Sequence, residues 1–279
     1  MNKICDLHVH SVFSDGSYTP RQLVDEAVAR GIAALALCDH NTVDGIPDFL
    51  EAARGKPIEA VTGAEFSVEY EGAELHLLGL FIPQRHLADV SALMREVAAR
   101  KEQSNVALVE ALRRDGILLD YEKIKASMPK GRVNRANIAL ALTEKGYTAS
   151  VQAAFSGLLS PAAGYYKEPK RLTLWEMLDF IASIGAVSVL AHPFLNLSAE
   201  RLAALLPEAR ARGLVGMECL YSLYDAETTR QALALADRFG LKPSGGSDFH
   251  GAAKPDIALG TGRGALQIPY AWYLALRQG

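Results

Sequence analysis

The chain has 279 residues, of which 49% are hydrophobic, and its 29 lysines and arginines against 32 aspartates and glutamates give a net charge of −3. This composition is typical of a globular protein with a substantial core, organised as one large domain or two ordinary ones. The charge balance gives no whole-chain case for binding nucleic acid or a membrane surface. No run of 18 apolar residues suggests a membrane span, and no signal-peptide pattern opens the chain, so we expect a cytoplasmic protein.

Two histidines follow the first apolar segment of the chain. Residues two apart on a strand point to the same side, so His8 and His10 are expected to face one way. Asp15 follows in a Ser-Asp-Gly turn. Two neutral imidazoles beside a carboxylate form a good clamp for a divalent metal ion.

The next residues predict a strand–helix–strand unit. Thr19 and Gln22 have the spacing of a capping box, and Gly31 is placed to end the helix. A second strand, 33–38, runs into Asp39 and His40. Short connections predict parallel strands, and reactive groups in parallel α/β folds collect at the carboxyl ends of the strands.

A third strand is predicted over 58–64 and ends in Glu65. Alternating residues on both sides of 71–72 predict a hairpin, with His76 in the returning strand. A buried carboxylate beside a histidine is costly unless the two are paired or bind a metal ion.

The pattern of apolar and polar residues changes at Pro83. Residues 90–150 have a helical pattern and contain 11 Lys and Arg against 7 Asp and Glu, a net of +4. We interpret 83–165 as a helical insertion that covers the mouth of a barrel, the main domain, which is formed by 1–82 and 166–279. The alternative is a solvated helical subdomain whose excess of four positive charges has no function.

The remaining segment continues the alternation of helices and strands. Thr173 and Glu176 have a second capping-box spacing. The strand 186–191 ends in His192, and the strand 241–246 ends in Asp248 and His250. The strand-like segment 215–219 lies between them. The three cysteines lie in apolar runs and are predicted to be buried thiols; they are Cys5, Cys38 and Cys219.

Donor side chains therefore recur where strands end. Six of the seven histidines lie at strand ends or in the hairpin, and His86 is the exception to which we assign no function. Together with three carboxylates they form a set of nine nitrogen and oxygen donors without sulfur. A tetrahedral site needs four ligands, so nine predict two or three ions that share a ligand. Imidazole and carboxylate suit zinc, iron or manganese. The nine donors are His8, His10, Asp15, His40, Glu65, His76, His192, Asp248 and His250.

These motifs also resemble the polymerase-and-histidinol-phosphatase (PHP) family over nearly the whole chain. The matching segments are Asp-x-His-x-His-Ser at 6–11, Ser-Asp-Gly at 14–16, Asp-His-Asn-Thr at 39–42, Gly-x-Glu at 63–65, His76, His-Pro at 192–193 and Gly-Ser-Asp-Phe-His at 246–250. The chain is most similar to the stand-alone phosphoesterases with a helical insertion, a group that includes nucleoside 3′,5′-bisphosphate phosphatases.

The resemblance implies an α/β fold, a distorted (β/α)₇ TIM-like barrel, with three divalent metal ions (Mn, Fe or Zn) at its carboxyl face. It implies that His8, His10, Glu65 and Asp248 hold one ion, that Asp15, His40 and His250 hold a second, and that His76 and His192 hold a third with Glu65 bridging. Related proteins often carry Arg-x-His in the insertion, where this chain has Arg135-Ala136-Asn137.

The expected reaction is hydrolysis of a phosphate ester by a metal-activated water or hydroxide. Asp248 is a candidate proton acceptor, Arg135 suits bidentate phosphate binding, and Lys167 is a plausible second phosphate contact. Asn137 can donate a hydrogen bond but cannot be protonated, which puts the transfer of a relative's substrate in question. Asp6 is expected to support a ligand histidine.

The substrate stays open between two phosphoesterase activities. The first is a phosphomonoesterase acting on a small phosphorylated metabolite or nucleotide, such as a nucleoside 3′,5′-bisphosphate. The second is a phosphodiesterase acting on a cyclic phosphate or on the end of a short oligonucleotide. Weak basicity argues against long nucleic acid, which needs a run of phosphate contacts. A different class, a metal-binding regulatory module without turnover, is disfavoured by the intact donor set.

Overall fold

The computed structural model describes residues 3–128 and 133–278. Its contacts divide the chain into two compact units. The first, which we call the barrel unit, comprises Met1–Met94 and Leu172–Gly279, and the second, the helical unit, comprises Arg95–Arg171. Each is described separately below.

The boundaries of the helical unit differ from the predicted limits of 83 and 165. The first part of the long helix that follows Pro83 belongs to the barrel unit, where Val90 and Met94 are buried. A change from a strand-like to a helical spacing of apolar residues shows where a helix begins. It does not show which part of the protein the helix packs against.

Eight strands form one sheet in the described part of the chain. They are β1 (Ile4–Val9), β2 (Ile32–Leu37), β3 (Glu59–Tyr70), β4 (Ala73–Leu80), β5 (Val187–Ala191), β6 (Leu214–Tyr221), β7 (Lys242–Gly246) and β8 (Ile268–Pro269). The spatial order is β7-β6-β5-β4-β3-β2-β1-β8. Neighbours pair in parallel except that β4 is antiparallel to β3 and β5, and β8 is antiparallel to β1.

The sheet curls into a nearly closed barrel because β1 and β7 approach each other. The N–H of Asp248 donates to the carbonyl of His8 at 2.9 Å, and the N–H of His10 donates to the carbonyl of Phe249 at 2.9 Å. Gly246 makes this approach possible: a Cβ there would lie 2.1 Å from the Cβ of His8. The predicted TIM-like α/β barrel is confirmed.

The helices begin close to the predicted signals. In the barrel unit they are α1 (Pro20–Ala29), α2 (Ile46–Ala53), α7 (Leu174–Ser183), α8 (Ala199–Ala211), α9 (Ala226–Arg238) and α10 (Tyr270–Arg277). Thr19 with Gln22 and Thr173 with Glu176 form the two predicted capping boxes. The buried apolar side chains of α1 and α7 follow one face of each helix, as an amphipathic helix on a sheet requires.

The barrel core consists of apolar side chains from the strands together with α10. Cys5, Leu7, Ala36 and Val189 are buried in it. Burial raises the pKa of Cys5 to about 12, and burial also raises the pKa of Cys38. All three cysteines are free and buried, as predicted. The thiols therefore remain protonated at neutral pH.

The helical unit has its own apolar core, which includes Leu108, Leu112 and Ile138. Its helices are α4 (Tyr121–Ala126), α5 (Arg135–Glu144) and α6 (Val151–Ser156), together with most of the long helix α3 (Leu87–Arg114). Among the residues that the structure describes, no helix is both long and apolar enough to cross a membrane.

Candidate metal centre and phosphate-binding residues

The nine predicted donor side chains come together at one end of the barrel unit. His8 lies within β1 next to its last residue, Glu65 and His76 lie within the β3–β4 hairpin, and the others follow β1, β2, β5 and β7. His8, His10, Glu65, Asp248 and His250 are at most 3% exposed, and the side chain of Asp15 is 54% exposed. The cluster is therefore a buried group of imidazoles and carboxylates with one side open to solvent at Asp15.

Glu65 is the central side chain of the cluster. The structure places it within β3, which continues to Tyr70, and not at the end of a strand as the sequence predicted. Its two carboxylate oxygens face different histidines, as a bridging ligand would. Oε1 lies 2.8 Å from His76 Nδ1 and 2.9 Å from His192 Nε2, whereas Oε2 lies 3.0 Å from His40 Nδ1, 3.2 Å from His8 Nε2 and 3.3 Å from His10 Nε2.

Asp15 faces a second group of histidines. Its Oδ1 lies 3.3 Å from His250 Nε2 and 3.6 Å from His10 Nδ1, and its Oδ2 lies 3.7 Å from His40 Nε2. One donor atom from each of these four residues lies within 4.8 Å of the others. Two further groups with this spacing are His8, His10 and Glu65, and His40, Glu65 and His76.

The two carboxylate oxygens of Asp248 have different neighbours. Oδ1 lies 3.2 Å from His10 Nε2 and 3.3 Å from His250 Nδ1. Oδ2 accepts hydrogen bonds from the Tyr221 hydroxyl at 2.8 Å and from Lys254 Nζ at 2.7 Å. Asp248 therefore has one oxygen available to the histidine cluster.

Two of the donors have backbone conformations that L-residues rarely adopt. His192 has a φ of 26° and Asp248 a φ of 57°. The N–H of His192 donates to Glu218 Oε2 at 2.7 Å, and the N–H of Asp248 donates to β1, so hydrogen bonds hold both residues in place. Strained conformations held in this way are concentrated at functional sites.

Glu218 on β6 is a supporting residue to which the sequence analysis assigned no role. It is fully buried, and its Oε1 lies 3.1 Å from His8 Nδ1. This contact favours the tautomer in which Nδ1 of His8 carries the proton and Nε2 is free to bind a metal ion. A lone carboxylate within the apolar run 215–219 was the available signal.

Asp6 has a different role from the one expected. It accepts hydrogen bonds from the N–H and hydroxyl of Ser247 at 2.8 and 2.5 Å and from the N–H of Gly260 at 2.8 Å. It contacts the backbone N–H of His8 at 3.4 Å and not the imidazole. Asp6 therefore fixes Ser247, the residue before Asp248, and connects it to the backbone at Gly260.

Asp39 fixes the loop that carries Asp15. It accepts hydrogen bonds from the N–H and hydroxyl of Ser11 at 2.8 and 2.7 Å and from the Ser14 hydroxyl at 2.6 Å. These bonds connect the ends of β1 and β2 around the His10–Asp15 turn. His86 lies apart from the cluster and pairs with Asp89 at 2.7 Å.

The cluster changes the proton affinities of its members. Burial alone would lower the pKa of His76, but the neighbouring carboxylates of Glu65 and Glu74 outweigh it and raise that pKa to about 9. Burial lowers the pKa of His40 to about 4. Burial opposes ionisation of Glu65, yet the surrounding histidines, His8 first, hold its pKa well below the usual range. Glu65 is therefore anionic, as a metal ligand must be.

The donor set fits divalent metal ions. Three buried side-chain atoms within it have no hydrogen-bond partner among the described residues, namely His10 Nδ1, Glu65 Oε2 and His76 Nδ1. Buried polar atoms are normally satisfied, so atoms of this kind that converge at one place indicate a ligand. Imidazole nitrogens and carboxylate oxygens are suitable ligands for zinc, iron and manganese.

Arg135, Asn137 and Lys167 lie in the helical unit. The guanidinium carbon of Arg135 is 4.2 Å from the ring centroid of Tyr166 and 5.8 Å from that of Phe155, so the cation packs against aromatic rings. Lys167 is exposed, and its carbonyl accepts a hydrogen bond from the Ser104 hydroxyl.

Asn137 takes part in the start of α5, a contact that was not predicted. Its Oδ1 accepts from the N–H of Asn134 at 2.8 Å, and its own N–H donates to Asn134 Oδ1 at 3.0 Å, which forms a capping box. The side-chain oxygen of Asn137 is thereby occupied. What it retains for a ligand is the Nδ2 amide, a donor only.

Comparison with known proteins gives consistent findings. The PHP domain profile matches residues 6–179, more than half of the chain. A 5′-3′ exoribonuclease of Haemophilus influenzae is 34% identical over 252 residues, covering 90% of this chain and 91% of that protein. A 3′,5′-nucleoside bisphosphate phosphatase of Chromobacterium violaceum is 29% identical over 248 residues, covering 88% and 86%.

A solved structure also matches the whole chain. A putative metal-dependent phosphoesterase from Bifidobacterium adolescentis is 27% identical and aligns with a TM-score of 0.68, covering 98% of this chain and 95% of that one. The alignment supports the same barrel architecture and agrees with metal-dependent hydrolysis of phosphate esters.

Proposed function

The chain belongs to the PHP family and is a hydrolase of phosphoric ester bonds, and from that premise we propose that it removes a phosphate monoester from a nucleotide such as a nucleoside 3′,5′-bisphosphate. The observation that carries this proposal is the division of histidines between the two oxygens of Glu65. Oε1 faces His76 and His192, and Oε2 faces three other histidines, so one carboxylate could be shared by two neighbouring ligand sets.

The proposed ligand assignment involves three divalent ions, with manganese, iron or zinc as candidates. His8, His10, Glu65 and Asp248 would hold the first and Asp15, His40 and His250 the second. His76 and His192, with Glu65 shared, would hold the third. The spacing of the donor atoms and the unpartnered buried nitrogens support this assignment. Such ions would lower the pKa of a bound water and neutralise charge on the phosphate oxygens.

The protein's own residues position these ligands and the substrate. Glu218 orients His8, and Tyr221 with Lys254 holds one oxygen of Asp248. The same contacts disfavour the role of proton acceptor for Asp248, because a carboxylate that receives a lysine ammonium and a tyrosine hydroxyl binds a proton poorly. We therefore assign Asp248 as a ligand.

Substrate phosphate binding is assigned to the helical unit. Residues 95–171 contain 14 lysines and arginines against 8 aspartates and glutamates, a net of +6, within a chain of −3. A region of positive charge attracts an anionic substrate. Arg135 offers a planar fork for two phosphate oxygens, Asn137 offers its amide N–H, and Lys167 offers an exposed ammonium. The role of the helical unit as a substrate cap stays a prediction. The cytoplasmic location of the protein also stays a prediction.

A second candidate activity is removal of a nucleotide from the end of a short RNA. The exoribonuclease of Haemophilus influenzae, 34% identical over most of both chains, favours it. The same metal centre would serve a diester, and the positive helical unit suits more than one phosphate. The proposed partner is therefore a small phosphorylated compound or an oligonucleotide end, and long nucleic acid is not required.

A substrate panel separates these activities. The manganese-loaded protein is assayed on a nucleoside 3′,5′-bisphosphate, a 5′-phosphorylated RNA of a few nucleotides and a cyclic phosphate, and kcat/KM is compared. A bisphosphate preference of tenfold or more supports the first proposal, and a preference for RNA supports the second. If manganese binds but no ester is hydrolysed, the proposed function is wrong.

Two variants test the helical unit in the same panel. Arg135→Ala is expected to lower kcat/KM about 10- to 100-fold, as the loss of a charged hydrogen bond predicts. Asn137→His introduces a group with a pKa near 6.5, so its kcat/KM relative to wild type is expected to fall as the pH rises through that value. If Arg135→Ala leaves every substrate unaffected, the helical unit does not bind phosphate through that residue.

A further inference from the structure

Lys254 is a cation at the edge of the histidine and carboxylate cluster. Its Nζ lies 2.7 Å from Oδ2 of Asp248, whose other oxygen lies 3.2 Å from Nε2 of His10. Asp248 and His10 are buried, while the Lys254 side chain is 37% exposed. The ammonium group therefore lies where the buried cluster meets solvent, in direct contact with the proposed metal ligand Asp248.

The backbone that carries Lys254 is tied to the loop that carries Asp15. The N–H of Ser17 donates to the carbonyl of His250 at 3.0 Å, and the N–H of Ala252 donates to the Ser17 hydroxyl at 2.8 Å. Gly251 has a φ of 65°, and a Cβ there would lie 2.1 Å from Ser17 Oγ. This close approach fixes the short turn before Lys254.

The Lys254 ammonium has hydrogen-bonding capacity to spare. An ammonium has three N–H donors, and within the described residues Lys254 Nζ has one hydrogen-bond acceptor, Asp248. Asp248 Oδ2 also accepts a hydrogen bond from the Tyr221 hydroxyl at 2.8 Å. One N–H of the lysine is enough to complete its hydrogen bonding, which leaves two N–H groups for another acceptor. A charged donor with open positions beside a metal centre is suited to an anionic ligand.

We propose that Lys254 binds a phosphate oxygen of the substrate. The inference rests on the proposed phosphoesterase function and adds a cation of the barrel unit to those of the helical unit. The competing explanation is purely positional, in which Lys254 only holds Asp248 in place for metal binding.

The test separates phosphate binding from metal binding. Wild type, Lys254→Met, Lys254→Gln and Lys254→Arg are loaded with manganese, and bound manganese per chain is measured together with inorganic phosphate binding by calorimetry. Lys3→Met is the matched control, because Lys3 precedes β1 at the opposite end of the barrel and packs over Tyr270. Thermal unfolding shows whether each variant is folded. Two neutral variants are used so that the test can still be read if one of them does not fold.

The proposal expects the two neutral variants to keep their manganese and to bind phosphate about 10- to 100-fold more weakly. Lys254→Arg is expected to remain within a few-fold of wild type, and Lys3→Met is expected to be unchanged. Phosphate affinity that is unaltered in the neutral variants, or that falls only in proportion to lost manganese, overturns the proposal. Because phosphate binding is measured directly, absence of ester hydrolysis in wild type would contradict the proposed function and not this inference.

Discussion

Glu218 contacts the side chain of His8 across the barrel, with 3.1 Å between Oε1 and Nδ1, although the two residues are 210 positions apart in the chain. The other oxygen of Glu218 accepts the backbone N–H of His192 at 2.7 Å. One buried carboxylate thus orients two proposed ligands, one within β1 and one directly after β5. Carboxylates behind metal-binding histidines set both the tautomer and the direction of the ring.

Replacing Glu218 with glutamine is expected to weaken metal binding about 10- to 100-fold. An amide has one acceptor and one donor end, so it cannot accept from both His8 and the N–H of His192. Competition with a fluorescent chelator measures the affinity. Glu227→Gln, an exposed change on α9, is the control and is expected to leave the affinity unchanged. An affinity for Glu218→Gln within twofold of wild type, in a folded protein, would contradict this role.

Removing the metal ions is expected to destabilise the protein. A ligand present at 100 times its Kd stabilises the native state by about 2.7 kcal/mol, which corresponds to a fall in Tm of roughly 5 °C or more on removal. Differential scanning calorimetry with and without a chelator measures the shift, and re-addition of manganese reverses it. Glu65→Gln is expected to lose most of the shift. Equal Tm values for the loaded and chelated wild type would sink the idea of a buried metal centre.

Gly246→Ala is expected to destabilise the fold more than an ordinary glycine replacement. The added Cβ would lie 2.1 Å from the Cβ of His8, and adjacent backbone cannot yield as a flexible side chain can. Overpacking of this kind costs about 1–3 kcal/mol or more. Urea denaturation measures the free energy of unfolding, and the manganese content reports the displacement of His8.

Gly72→Ala provides the matched comparison for Gly246→Ala. Gly72 has a φ of 77° with nothing within 4 Å of an added Cβ, so its replacement tests backbone strain alone, at about 1 kcal/mol. We expect Gly246→Ala to cost more and to lower the manganese content, which Gly72→Ala leaves intact. The reverse order would show that the β1–β7 approach tolerates a side chain.

Tyr166→Leu is expected to raise KM about 3- to 10-fold with kcat retained. The guanidinium of Arg135 lies 4.2 Å from the Tyr166 ring centroid, and a cation–π contact contributes about 0.5–2 kcal/mol. Tyr166→Phe keeps the ring and is expected to behave as wild type. A loss equally large in Tyr166→Phe would assign the effect to the hydroxyl, and no loss in Tyr166→Leu would exclude a role for the ring in holding Arg135.

Local signals in the sequence predicted most of the architecture. Thr19 and Thr173 cap their helices through residues three positions away, and such bonds depend on a few neighbouring residues. His8 with His10, and Asp248 with His250, could be recognised because each pair lies at or just after the carboxyl end of a strand. Parallel strands bring their carboxyl ends to one edge, so the existence of a donor cluster followed from the strand pattern alone.

The partners within that cluster depended on the folded barrel. Glu65 lies within a long strand because β3 continues through its pairing with β4, and a pattern within one strand does not show where that pairing ends. Asp6 binds the loop before Asp248 because the closing approach of β1 and β7 at Gly246 brings Ser247 beside it.

The type of a residue at a strand end indicates whether it can bind a metal ion. Which carboxylate oxygen it contacts depends on strands that are distant in the sequence. His76 and His192 share Oε1 of Glu65, and Lys254 and Tyr221 share Oδ2 of Asp248. Hydrogen bonds and ion pairs extend only about 3–4 Å, and the sequence carries no distances between residues that are far apart in the chain. The kinds of ligand could thus be read from the order of the residues, whereas their grouping around shared oxygens required the closed barrel.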